Sequence, residues 1–186
     1  MLRSNRQIWP IGLHSLSRPE SMQWRHCVSD IIKGSQMLTS DFKEFAALLN
    51  SNGVEYMVVG GYALAAYGHP RYTGDLDFWV GTQADNADRV LAALSEFGFA
   101  SLGIRKEDLT ESNQVIQLGY PPTRIDLLTS IDGVDFAECY LRRMTVLVDG
   151  VELGFIGLDD FKTNKKAVGR YKDLADLEAL ENPEKP

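Results

Sequence analysis

The chain reads as an α+β protein: a mixed β-sheet with helices packed mainly on one side and short helices at its C-terminal end. Three observations lead there. Apolar spacing alternates between helical and strand periods in the order helix, strand, helix, strand, helix, and then gives several strands in succession. With 186 residues, 44% of them hydrophobic, one sizeable core can be buried, so a single domain over 37–182 is expected. The dipeptide Asp149-Gly150 between two short apolar runs is a hairpin signal and ties the last two strands together.

The elements follow in order. Residues 1–36 carry five basic residues against two acids, with six serines and no periodic apolar face, and are expected to form a disordered or non-native extension dispensable for folding. They are acid-poor like a transit peptide but lack the apolar stretch of a secretory signal. After Met37, the run Thr39-Ser40-Asp41 with Glu44 opens a helix whose apolar face is Phe42, Phe45, Ala46 and Leu49. Residues 56–59 read as a short buried strand, Gly60-Gly61 as a turn, 62–68 as an Ala-rich helix and 75–80 as a second strand. Thr82, with Asp85 three later, is placed to cap a helix striped by Ala87, Val90, Leu91, Leu94 and Phe97. Strands are expected over 115–118, 124–128, 144–148 and 151–156, and a helix over 161–170.

A net charge of −7 argues against non-specific duplex binding, which needs a basic face. Two distant cysteines, Cys27 and Cys139, have no metal-ligand spacing and suggest a reducing, cytoplasmic setting. The longest uncharged run, 56–70, is broken by glycines and too short to span a bilayer, so no membrane partner is expected.

The chemistry concentrates in VVGGYALAAYGHPRYTGDLDFWV, from Val58 to Val80. On a strand, Asp75, Asp77 and Trp79 point one way and Leu76, Phe78 and Val80 the other. The apolar set can enter a core, which leaves two carboxylates side by side, roughly 6 to 7 Å apart at the backbone. That is costly unless water or a divalent cation separates them. A solvated edge-strand face is the plainer reading of Asp-x-Asp alone. The diglycine allows backbone N–H groups to approach an anion closely, or serves as a tight turn with no ligand.

Asp126 stands between Ile125 and Leu127 in an otherwise apolar strand after the turn Gly119-Tyr120-Pro121-Pro122. An acid there needs an explanation, either a shared cation or a partner such as Arg124 two residues away on the same face. The acids of Asp132-Gly133 and Asp149-Gly150 are ordinary turn residues. Lys162, Lys165 and Lys166 form a basic cluster that is either a solvated helix face or a phosphate site. Arg71 can serve the same phosphates or pair with a nearby acid.

Together these residues resemble the nucleotidyltransferase superfamily, the polymerase-beta-like fold. The matching pattern is Gly60-Gly61, thirteen intervening residues, Asp75-Leu76-Asp77, and later Ile125-Asp126-Leu127. The resemblance covers roughly 38–180 and is greatest to small stand-alone bacterial members similar to abortive-infection-type nucleotidyltransferase toxins. The C-terminal KTNKKAVGRYKDLADLEAL resembles the tail helices of that group. One departure is Gly61, where many members carry Ser, which would leave backbone amides to meet the phosphate.

The resemblance implies transfer of a nucleoside monophosphate from a nucleoside triphosphate (NTP) to an acceptor hydroxyl on RNA, protein or a small molecule. Asp75, Asp77 and Asp126 are implied as catalytic residues and as ligands of two Mg²⁺ ions, with Asp126 also accepting the hydroxyl proton. Gly60, Gly61, Arg71 and, by the same resemblance, Lys165 are implied as triphosphate contacts. An antitoxin partner or a homo-oligomer belongs to the same set of expectations. The rivals are a non-catalytic binding protein of this fold acting as antitoxin or partner subunit, and another Asp-x-Asp enzyme. The chain is short for a glycosyltransferase, and Trp79 stands where an aspartate-nucleophile phosphatase should carry Thr or Val.

Overall fold

The hydroxyl of Thr39 accepts a hydrogen bond from the Phe42 amide and so starts helix α1, Ser40–Ser51, whose Phe42, Phe45, Ala46 and Leu49 are buried. The computed structural model describes residues 38–181, so the expectations for the 1–36 extension and Cys27 lie outside the described residues. Next come β1 (Tyr56–Val58), α2 (Gly60–Ala66), β2 (Asp75–Val80), α3 (Ala84–Glu96), a 3₁₀ turn at Ala100–Leu102 and α4 (Lys106–Thr110). Then follow β3 (Val115–Leu118), β4 (Arg124–Leu128), α5 (Phe136–Arg142), β5 (Met144–Val148), β6 (Val151–Phe155), α6 (Leu158–Val168) and α7 (Tyr171–Glu181).

The strands form one six-stranded sheet in the order β3-β4-β2-β1-β6-β5. It is mixed: β1 runs parallel to β6 and β2 parallel to β4, while β1·β2, β3·β4 and β5·β6 are antiparallel. The fold is therefore α+β, with helices mainly on one side of the sheet. On that side Leu76, Phe78 and Val80 of β2 and Ile125 and Leu127 of β4 are buried. Phe78 meets Phe45 of α1 edge-on at 5.6 Å and Tyr56 of β1 at 5.3 Å. The opposite face of β2 carries Asp75, Asp77 and Trp79; α5 covers only its Trp79 end, through an edge-on contact of Phe136 with the indole at 5.1 Å.

Several local expectations shift, each for a physical reason. The diglycine is not a turn before a helix at 62–68; it forms the first turn of α2, because Gly60 takes φ +64° and lets the chain coil at once after β1. Thr82 does not cap α3, whose N-cap is Gln83 with no side-chain bond. Asn86 fastens that end instead, accepting from the Glu55 amide at 2.8 Å and donating to the carbonyls of Glu55 and Gly81 at 3.0 and 2.8 Å. The helix expected over 161–170 runs from Leu158 to Val168, stopped by Gly169 in the left-handed conformation. α5 was not anticipated. Its N-cap Asp135 accepts from the Glu138 amide at 3.1 Å, and this Asp-x-x-Glu pair was the available signal. The Asp149-Gly150 hairpin forms as expected, with Val148 opposite Val151.

Candidate functional site

In the parallel pair β2·β4, Asp77 lies directly opposite Asp126, and Asp75 opposite Arg124. Residues in register on neighbouring strands share a face and a spacing of about 4.8 Å. The three acids expected from the sequence are therefore brought together, although 49 positions separate Asp77 from Asp126. Asp126 is only 5% exposed, which makes its charge expensive unless it is compensated.

The compensation comes from Arg124. Its Nε donates to Asp126 Oδ1 at 2.7 Å and its Nη2 to Asp126 Oδ2 at 2.9 Å, while the same Nη2 also bonds Asp75 Oδ2. Gln117, opposite Asp126 on β3, donates its side-chain amide to Asp126 Oδ2 at 3.2 Å. Asp77 is treated differently: among the described residues its carboxylate makes no hydrogen bond or ion pair. Burial pushes the Asp77 carboxyl up to about 7, helped by the charges of Asp75 and Asp126 and opposed by Lys165 and Lys172.

The diglycine abuts these acids. A Cβ at Gly60 would fall 2.0 Å from Asp77 Oδ2, so only glycine lets the carboxylate and the start of α2 meet. No side chain caps α2, and the first-turn amides have no carbonyl a turn earlier to bond. At Gly61 a Cβ would fall 2.9 Å from the Thr73 Cβ. Thr73 thus fills the space a residue-61 side chain would take, and its hydroxyl donates to Asp75 Oδ1 at 2.7 Å. Beside it lies a cavity of about 240 Å³ lined by Gly61, Tyr62, Ala65, Arg71, Tyr72 and Thr73.

Arg71 and Lys165 meet in one ionic network whose Lys165, Asp173 and Asp176 are buried while Arg71 and Arg170 reach solvent. Lys165, 3% exposed, gives its ammonium to Asp173 at 2.7 Å and to Asp176 at 2.8 Å. Arg71 grips Asp176 with two bonds of 2.8 and 3.0 Å, and Arg170 holds Asp173 at 2.6 Å. The network joins α6, α7 and the loop before β2, close enough to Asp77 for Lys165 to act on its charge. Lys166 is solvent-exposed. Thr73, Gln117, Asp173 and Asp176 were not foreseen; the spacing of Asp173 and Asp176, three apart on a helix after a Lys cluster, was the readable signal.

The donor chemistry suits a hard divalent cation: three carboxylates share one face, and one of them, half-buried Asp77, has no hydrogen bond or ion pair among the described residues. Among the described residues, however, no group of three or more His, Cys, Asp or Glu is arranged as a ready metal site. The Arg124 guanidinium takes the oxygens of Asp75 and Asp126 that such a site would use. No helix of the described residues is long and apolar enough to cross a membrane. Burial pushes the Cys139 thiol up to about 12, too high for it to serve as a nucleophile near neutral pH.

No protein-family model matches the chain, and no curated protein sequence matches it. Among solved structures, it is similar to a provisionally assigned nucleotidyltransferase from Thermotoga maritima, at 18% identity and a TM-score of 0.46, over 91% of this chain and 98% of that one.

Proposed function

We propose that the protein transfers a nucleoside monophosphate from an NTP to an acceptor hydroxyl. The observation that carries this reading is the meeting of Asp75, Asp77 and Asp126 on one sheet face with the diglycine start of α2 packed against Asp77. Carboxylates for cations and free amides for phosphate then lie side by side, as phosphoryl transfer requires.

In this reading Asp75, Asp77 and Asp126 would hold two Mg²⁺ ions, which would offset the triphosphate charge and lower the pKa of the attacking hydroxyl. The acceptor oxygen forms a bond to the α-phosphorus, the bond from that phosphorus to the bridging oxygen breaks, and pyrophosphate leaves with the electron pair. Asp126 takes the hydroxyl proton. The amides of Gly60 and Gly61 orient the phosphates, and Thr73 fixes Asp75 through their hydrogen bond. Arg71, clamped by Asp176 at the cavity rim, supplies positive charge beside the triphosphate, and Lys165 keeps that clamp in place. The acceptor is an RNA, a protein or a small molecule, and a toxin–antitoxin role in the cytoplasm is the setting that fits the resemblance of the sequence.

A second reading, a non-catalytic binding protein of the same fold acting as antitoxin or partner subunit, is favoured by one observation: Arg124 already neutralises two of the three acids. One assay separates the two. The protein is incubated with each α-labelled NTP, Mg²⁺ and a cell extract. Covalent labelling of one class of molecule by the wild type, lost in Asp77→Asn, supports transfer. No labelling with any NTP supports the second reading.

A further inference from the structure

We propose that Arg124 is a displaceable counter-ion of the acid face, which divalent-cation binding turns out of its clamp, freeing a guanidinium at the cleft for a phosphate group of the substrate. The inference rests on the reading of Asp75, Asp77 and Asp126 as a cation site.

Arg124 sits opposite Asp75 and two residues before Asp126, so its side chain rises from the same face as all three acids. Its fork takes both oxygens of Asp126 and one of Asp75. A Mg²⁺ ion needs carboxylate oxygens at about 2.0 to 2.1 Å and in near-octahedral directions, so a guanidinium on those same oxygens competes with it. Gln117 keeps a hold on Asp126 from β3, so the carboxylate stays in place when the fork departs.

Neighbouring cations are differently placed. The Lys165 side chain is 4% exposed and shared between two buried aspartates, whereas Arg124 is 24% exposed and has solvent to turn into. Arg71 and Arg170 are bound to Asp176 and Asp173. Among the described residues, Arg124 is thus the cation that touches the oxygens a metal needs and also has room to leave. A turned-out Arg suits phosphate well, since its planar fork matches two phosphate oxygens at once.

The consequence is quantitative. If the metal-binding form is the one with Arg124 turned out, the observed cation affinity is the intrinsic one reduced by the fraction of molecules in that form. If the half-exposed clamp is worth, net of the solvent that replaces it, about as much as one hydrogen bond, that fraction is on the order of a tenth.

The test is Mn²⁺ binding to the full chain, followed by the electron paramagnetic resonance of free Mn²⁺, with Asp77→Asn marking the site. Arg124→Gln is expected to bind Mn²⁺ about tenfold more tightly than wild type, and Arg124→Lys, which keeps the charge but loses the fork, to fall between. Unchanged or weaker affinity in folded Arg124→Gln overturns the proposal. Should that variant fail to fold, the wild type answers alone: the Arg124 Nε–H resonance, bonded to Asp126, must move and exchange faster as Mg²⁺ saturates. A resonance unchanged at saturation overturns the proposal equally. Asp77-dependent Mn²⁺ binding without an Arg124 effect removes this inference and leaves the proposed function standing. Absence of Asp77-dependent binding in every variant removes both.

Discussion

The carboxylate of Asp77 rests against the α-carbon of Gly60, where any side chain at residue 60 would place its Cβ 2.0 Å from Oδ2. Gly60 also holds φ +64°, a conformation other residues adopt at a cost of about 1 kcal/mol. Gly60→Ala is therefore expected to lose about 2 to 4 kcal/mol in urea denaturation, more than the backbone alone explains. A loss within about 0.5 kcal/mol would mean that the contact is not made.

Gly61 faces Thr73 in the same way, with all three Thr73 side-chain heavy atoms between 2.9 and 3.1 Å of a Cβ built there. Gly61→Ser should destabilise the fold, and the loss should shrink when Thr73→Gly opens the space. A double-mutant cycle on urea midpoints is expected to give a coupling of about 1 kcal/mol or more. Additive effects would show that the two positions are independent.

The buried charge of Asp77 predicts a pH dependence. Its folded pKa, near 7, lies above the unfolded value of 3.8, so the folded state holds the extra proton between these limits. That contribution is full below about pH 4 and is lost as pH rises to about 7. Asp77→Asn, which carries no charge at any pH, should be more stable than wild type by about 4 kcal/mol at pH 8 in chelator. The gain should vanish near pH 4; a gain independent of pH would show that ionisation is not its source.

The network beneath the site behaves in the opposite sense. Burial works to raise the Asp173 carboxyl, but hydrogen bonds from Arg170 and Lys165 hold it down to about 2. Its stabilisation is complete above about pH 4 and fades as pH falls through 2, on the order of 2 kcal/mol. Lys165→Met removes the ammonium shared by Asp173 and Asp176 and should cost about 3 kcal/mol at neutral pH, seen as a lower urea midpoint. A neutral outcome would assign the network no structural role.

Much of this was legible in the sequence because period-2 alternation fixes faces: Leu76, Phe78 and Val80 inward required Asp75 and Asp77 outward. Asp126 stood out as an acid in an apolar strand. What alternation cannot give is which strands are neighbours, so the register of Asp77 with Asp126 and the role of Gln117 emerged only with the parallel β2·β4 pairing. Gly61 read as a missing hydroxyl; Thr73, twelve residues on, fills that space, a contact made by the fold and not by spacing. The Lys cluster offered three candidates, and only helix phase and the docking of α7 show that Lys165 is the buried one.

The proposed function requires Asp75, Asp77, Asp126 and the Gly60-Gly61 start of α2 to form one cation and nucleotide site. Paramagnetic broadening of backbone amides by trace Mn²⁺ with a non-hydrolysable NTP analogue tests it most directly. Broadening is expected to centre on Gly60, Gly61, Asp75 to Asp77 and Ile125 to Leu127, and to be absent in Asp77→Asn. Broadening centred on other acids, such as Asp85 and Asp88 of α3, or surviving intact in Asp77→Asn, would contradict it.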